Sequence, residues 1–323
     1  MSNRLAVVVG HQGQDGRLLT ELLRGRGYDI LGIGRAKLDA WGELPNVAPC
    51  SLDQPQTVFE IVRKLRPHEI YYLAAHHASS QDRTTLDLHR DYQAGLTVNV
   101  TGLLHFLEAI RLYSAASRLF FASSSLIFGN DPRQTPQNDS TQVAPEEPYG
   151  LYKALAGEVC KDYRRQHGVF ASVGILFNHE SHLRSPQFLS MKIVRAAVAA
   201  SRGATEPLVV GSLDATVDWG YAPDYVDAFT RILALEQPDN FVVATGVAHT
   251  VRDFAAAAFG RVNLDWTKHV VQNPSVLTRL RSGRVGDPSK LQRLSGWRPS
   301  LTFEEMVATL VDQAVEDVPS AAR

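Results

Sequence analysis

The chain has 323 residues, 44% of them hydrophobic and 21% charged, with a formal net charge of -1. Those values fit a globular protein with one large α/β domain and a smaller companion, and they imply no polyanion-binding surface. Cys50 and Cys160 are the only cysteines, which excludes a disulfide scaffold and a cysteine-based metal cluster.

The opening MSNRLAVVVGHQGQDG carries a short apolar run and no small-residue cleavage site, so it reads as a first strand and not a signal peptide. No stretch approaches the roughly 18 apolar residues of a membrane span, and the expected location is the cytoplasm. After the first run, Leu18, Leu19, Leu22 and Leu23 fall at helical spacing, and 29–33 is a second β-rich run. Val58, Ile61, Val62 and Leu65 make a helical face before a strand at 70–75. Leu103, Leu104, Leu107 and Ile110 lie on a helix leading to a strand at 119–122, and a helix around 149–165 leads to 169–176. This alternation predicts a doubly wound parallel sheet covered on both faces. Beyond 178 the loops become polar and the helices shorter, which predicts a smaller α/β substrate domain. The expected boundaries are 1–178 for the dinucleotide-binding domain, with a return to its sheet near 222–250. The substrate domain is expected over 179–221 and 251–317, with a frayed tail at 318–323.

Gly10, Gly13 and Gly16 form GxxGxxG between the first strand and the first helix. Glycines allow the sharp turn and the close approach of a pyrophosphate to a positive helix end. Gln12, Gln14 and Asp15 share that loop. The second strand ends Gly32-Ile33-Gly34-Arg35 with no carboxylate at its tip. Arg35 is suited to a 2′-phosphate, so NADP(H) is the expected cofactor, against the alternative of a solvated arginine.

Tyr149 and Lys153 are spaced i, i+4 and share one helix face. Oxidising a carbinol needs a base for the hydroxyl proton as hydride leaves. A tyrosine, with pKa near 10, serves only if a lysine ammonium and a cationic nicotinamide favour the phenolate, a lowering of about one to three units. Ser124, at a strand end, is the candidate partner for the same substrate oxygen. These three are the candidate catalytic residues, and Tyr149 and Lys153 are also candidate cofactor contacts.

The motifs taken together resemble the GDP-mannose 4,6-dehydratases, a family of extended short-chain dehydrogenases with a Rossmann domain. Gly10-His11-Gln12-Gly13-Gln14-Asp15-Gly16 is similar to their GxTGQDG opening, and Glu69-Ile70-Tyr71-Tyr72-Leu73-Ala74-Ala75 to their EIYNLAA strand. Gly174-Ile175-Leu176-Phe177-Asn178-His179-Glu180-Ser181 matches GILFNHES. Further likenesses are Asp218-Trp219-Gly220 with Asp224-Tyr225-Val226, Ala244-Thr245-Gly246 with Val251-Arg252, and Gly286-Asp287-Pro288 with Gly296-Trp297. The resemblance implies cofactor contacts at Leu73, Ala74 and Ala75. It implies nucleotide-diphosphate contacts at Asn178, Lys192 and Arg252, and substrate contacts at Ser125 and Leu126.

The departures bear on chemistry. The family strand STSELYG reads here Ser123-Ser124-Ser125-Leu126-Ile127-Phe128-Gly129, so Leu126 stands where the family has its glutamate base. Eliminating water across C5 and C6 needs a base and an acid, whereas hydride transfer at C4 does not need that glutamate. Val217 replaces the arginine of RDWG, and Leu277-Thr278-Arg279-Leu280-Arg281 replaces RPxEV, with Arg279 or Arg281 as candidate replacements for the lost charge. The segment after Arg35 lacks the loop that helps the family form tetramers. A homodimer through helices near 91–113 and 146–168 is therefore expected.

His76 and His77 follow a strand end and could contact a sugar or bond their loop. No metal is expected at His179 and Glu180, because no further ligand stands at metal-ligand spacing. Glu146 or Glu147 could supply the missing carboxylate, or act as helix-start charges. The leading expectation is an NADPH-dependent reductase of a GDP-linked 4-keto-6-deoxy-sugar. The alternatives are a 4,6-dehydratase with a relocated base, a 4-epimerase, and a non-catalytic binding protein on the same fold.

Overall fold

The computed structural model describes residues 4–35, 38–45, 47, 49–76, 88–276 and 283–317. The first half runs β1 (Leu5–Val9), α1 (Gln14–Gly25), β2 (Asp29–Ile33), β3 (Leu38–Trp41), α2 (Pro55–Leu65), β4 (Glu69–Tyr72), α3 (Leu88–Leu96), α4 (Gly102–Tyr113), β5 (Arg118–Ala122) and α5 (Pro148–His167). It continues with β6 (Phe170–Leu176), β7 (Asn178–Glu180), α6 (Leu189–Ser201), β8 (Leu208–Val210), β9 (Thr216–Tyr221), α7 (Ala222–Ala234) and β10 (Asn240–Val243). The last elements are β11 (Ala248–Thr250), α8 (Val251–Arg261), β12 (Val270–Gln272), α9 (Ser289–Ser295) and α10 (Phe303–Asp317).

Seven strands form the main sheet in the order β10-β6-β5-β4-β1-β2-β3. Val7 and Val9 of β1 pack into one core with α2 and α4, while Ala6 and Val8 pack into another with α1 and α7. A strand buried on both faces needs an unbroken apolar run, which LAVVV supplies. The doubly wound sheet expected from the sequence is therefore present. One strand departs from the parallel expectation: β3 runs antiparallel to β2, with Asp39 opposite Gly32. The link between them, 34–37, is too short for the dozen or more residues of a parallel crossover.

A smaller three-stranded sheet, β11-β9-β7, lies beside a third core made by α6, α8 and α10 around Trp219 and Phe254. The joint between this region and the main sheet is Asp218 of β9. Its carboxylate accepts hydrogen bonds from the Thr245 N–H at 2.9 Å and hydroxyl at 2.6 Å, from Gly246 N–H at 3.0 Å, and from Gly286 N–H at 3.2 Å. Burial nonetheless pushes its pKa up, against the opposing pull of those donors. Trp297, 1% exposed, closes the other end by donating its indole N–H to the Asp224 carbonyl at 2.8 Å. Among the described residues no helix is long and apolar enough to cross a membrane.

Candidate functional site

The chain leaves β1 for β2 on one side and returns to β4 on the other, so a crevice opens beyond the carboxyl ends of β1 and β4. A cavity of about 450 Å³ lies there, bordered by Gly10, Gly13 and Gly16 and by Leu73 and Ala75 after β4. Gly10 has φ 89°, and a Cβ on it would lie 2.7 Å from Ala74 N. A Cβ on Gly16 would overlap the Gly10 carbonyl oxygen, so neither position accepts a side chain. Gly13 caps α1 with no side chain over the first N–H groups, which suits a pyrophosphate. The cradle fits a dinucleotide.

Asp15 and Gln14 tie this loop to β7. The Asp15 carboxylate meets His179 Nε2 at 3.0 Å, and the His179 Nδ1 lies 2.7 Å from the Phe177 carbonyl. Gln14 donates to the His179 carbonyl at 3.2 Å and accepts from the Ser181 hydroxyl at 2.9 Å. The imidazole also stacks on Tyr225, with ring centroids 4.4 Å apart. Both ring nitrogens are thus engaged. Glu180 lies beside this pair, buried, accepting from Ser190 at 2.8 Å.

Ser124, Ser125, Leu126, Tyr149, Lys153 and Asn178 line the same cavity. The Ser124 hydroxyl accepts the Leu126 N–H at 3.2 Å, capping the short turn that follows β5. A Cβ on Gly150 would overlap the Leu126 carbonyl oxygen, so α5 starts hard against that turn. Lys153 is 1% exposed and donates to the Ala122 carbonyl at 2.8 Å. Its Nζ lies 5.6 Å from the Tyr149 ring centroid. Burial brings the Lys153 pKa down to about 7, with Asp15 and Cys160 opposing.

Burial, and then the Asp15 charge, push the Tyr149 pKa well above its ordinary value, with Arg184 opposing.

Other candidates lie elsewhere. Gln12 and the exposed Arg35 are outside the cavity lining, and Ala74 sits beneath Gly10. Lys192 on α6 does not line the cavity, and Arg252 pairs with Asp214 at 2.7 Å. His76 pairs with Asp91 of α3 at 2.7 Å. Glu146 accepts the Asn130 N–H at 3.0 Å, and neither it nor Glu147 lines the cavity. His77, Arg279 and Arg281 fall outside the described residues.

The sequence reading missed Arg184, Phe188 and Arg284 on the cavity wall. Arg184 places its guanidinium carbon 3.7 Å from the Phe188 ring centroid. It also missed Asp39, whose carboxylate pairs with the buried His11 at 2.7 Å near the tip of β2. A periodicity argument has no signal for residues in irregular loops; a basic residue beside an aromatic four positions on was the available clue for Arg184.

Burial alone would lower the His179 pKa, but the Asp15 carboxylate overrides it and raises the value above the ordinary 6.5. Asp15 is lowered below 3.8 despite its own burial, chiefly by His179. The ion pair therefore stabilises the fold fully between those two values, and the contribution is lost as pH rises above 6.5 through the raised His179 pKa. We expect His179→Gln to have a lower thermal midpoint than the parent at pH 6, with the gap narrowing toward pH 9 (about pH-independent behaviour in the variant is the sign of the lost pair). A gap that stays constant or widens with pH contradicts the pairing.

The chain matches the family model described as GDP-mannose 4,6 dehydratase over residues 7–310. It is 34% identical to GDP-mannose 4,6 dehydratase 1 of Arabidopsis thaliana, covering 97% of this chain and 90% of that protein. It is 32% identical to GDP-mannose 4,6-dehydratase of Vibrio cholerae, covering 98% and 95%. Among solved structures it superposes on RMD from Pseudomonas aeruginosa complexed with NADPH with a TM-score of 0.81 at 19% identity, covering 98% and 99% of the two chains. A UDP-glucose 4-epimerase from Thermotoga maritima with UDP-glucose gives a TM-score of 0.83, also at 19% identity, covering 97% and 99%. These structural likenesses establish the fold, and the sequence matches bear out the resemblance read from the motifs: the chain belongs to the GDP-mannose 4,6-dehydratase family.

Proposed function

We propose that the chain carries out nicotinamide-dependent oxidation and reduction of a GDP-linked hexose at C4, in the manner of a 4,6-dehydratase. The observation that carries this reading is the meeting of Ser124, Tyr149, Lys153 and the glycine loop on one cavity. The curated relatives named above are dehydratases, and they favour this reading over the stand-alone reductase expected from the sequence.

When bound, the dinucleotide supplies the hydride acceptor. Tyr149 takes the proton of the C4 hydroxyl, Ser124 hydrogen-bonds that oxygen, and Lys153 stabilises the phenolate. The chain's own groups favour the neutral phenol, and the positive charge of a bound oxidised nicotinamide would favour the phenolate.

Leu126 favours a second reading. Among the described residues, the carboxylates lining the cavity are Asp15 and Asp218, and both are engaged. Elimination must then use another group, and loss of a dedicated base slows it about 10²–10⁴-fold. Reduction of a 4-keto-6-deoxy sugar has no such need. The two readings part in one assay with the purified protein. Conversion of GDP-mannose to a 4-keto product without net change in NADPH supports the dehydratase. Inert GDP-mannose together with steady NADPH oxidation by the GDP-linked 4-keto-6-deoxy sugar supports the reductase. Either activity should fall at least about 10²-fold in Tyr149→Phe. Absence of both reactions sinks the proposal. NADP is the proposed cofactor, because Arg35 is exposed past β2 while Asp39 is tied to His11. In the active assay Arg35→Ala should raise KM for the NADP form and leave the NAD form little changed.

We also propose a homodimer. Tyr92, Leu96 and Leu104 on one helical run and Leu151 and Leu155 on α5 are between 37% and 52% exposed, an apolar face made by both elements. Leu155→Glu is expected to give a monomer by sedimentation, with the far-ultraviolet spectrum unchanged. A parent protein that sediments as a monomer overturns this.

A further inference from the structure

We propose that a second cavity, between α6 and α10, binds a small organic anion with an apolar body and a carboxylate head. The site lies outside the catalytic cavity and goes beyond the activity proposed above.

This cavity measures about 440 Å³, within the range of small-molecule sites. Among the described residues, none borders both it and the catalytic cavity. Met191, Arg195 and Val198 come from one face of α6, and Arg202 caps the carboxyl end of that helix. Leu310, Ala314 and Asp317 fall at the same kind of spacing on α10. The floor is apolar: Met191, Val198 and Leu310 are at most 5% exposed. Ala199 and Ala314 offer only a methyl group each to the wall, which leaves room between the two helices.

The charged groups around that floor differ in what they are free to do. Arg202 donates to the Val315 carbonyl at 3.0 Å, so it fastens the end of α6 to α10. Arg195 and His182 are exposed on the wall, and among the described residues neither has a hydrogen-bond or ion-pair partner. Asp317 is the one carboxylate on the wall among the described residues. Two guanidinium groups and an imidazole thus stand against one carboxylate, and the balance selects an anion. The planar fork of Arg195 suits a carboxylate, which it can meet through two parallel N–H donors. An apolar body attached to that head would cover Met191, Val198 and Leu310.

The test is a fluorescence titration of the full chain with dansylglycine, which joins an aromatic body to a carboxylate, and with uncharged dansylamide. The parent is expected to bind dansylglycine saturably and at least about 10-fold more tightly than dansylamide, the low end for a charge-assisted bond. Arg195→Glu is expected to bring dansylglycine down to the level of dansylamide, with the circular dichroism spectrum unchanged. A parent that binds neither probe, or both equally, overturns the proposal. So does parent-like dansylglycine affinity in Arg195→Glu. Displacement of dansylglycine by NADP also overturns it, by placing the probe in the dinucleotide cradle.

Discussion

A buried ion pair between Asp15 and His179 joins the loop after the first strand to the segment leaving the sixth. The glycine loop is the most deformable part of the cofactor cradle, because glycines impose no conformation of their own. Fixing its following residues to β7 gives the cradle a defined shape and places β7, and so Asn178, at a set distance from it. The pair also accounts for two motifs far apart in the chain. QDG opens α1 and FNHES carries β7, and the two meet as one contact in the fold. The attraction outweighs the burial of both groups, since His179 is raised and Asp15 lowered against desolvation.

Asp218 plays the corresponding part on the opposite wall. One carboxylate collects donors from 245 and 246 and from 286, the turns of two separated motifs. Asp15 is held by the His179 imidazole, and Asp218 by backbone N–H groups of 245, 246 and 286. Among the described residues no further carboxylate lines the cavity, and leucine stands at 126.

The sheet was legible in the sequence because its strands are buried on both faces and must be continuously apolar, as in LAVVV. The reversed direction of β3 was not, since polarity is set by the length of the 34–37 connection and LDAW has no pattern that reports it. Glycine positions were legible because a Cβ at Gly10 or Gly16 has no room. The i, i+4 spacing brings Lys153 near Tyr149 but carries no information on how far burial lowers the lysine pKa. Lys192 and Arg252 carried charges that suited a diphosphate by likeness alone. Arg252 pairs with Asp214 and Arg184 with Glu180, and Arg184 and Arg284, which carry no periodic signal, border the cavity.

The central claim is hydride chemistry at C4 of a GDP-linked hexose, and an isotope label tests it most directly. GDP-mannose carrying deuterium at C4 is incubated with the NADP-loaded protein and the sugar is analysed by mass spectrometry and NMR. The dehydratase account predicts that deuterium leaves C4 and reappears at C6 of a 4-keto product, without washing out into solvent. Deuterium retained at C4 in unconverted sugar, after prolonged incubation, would contradict it.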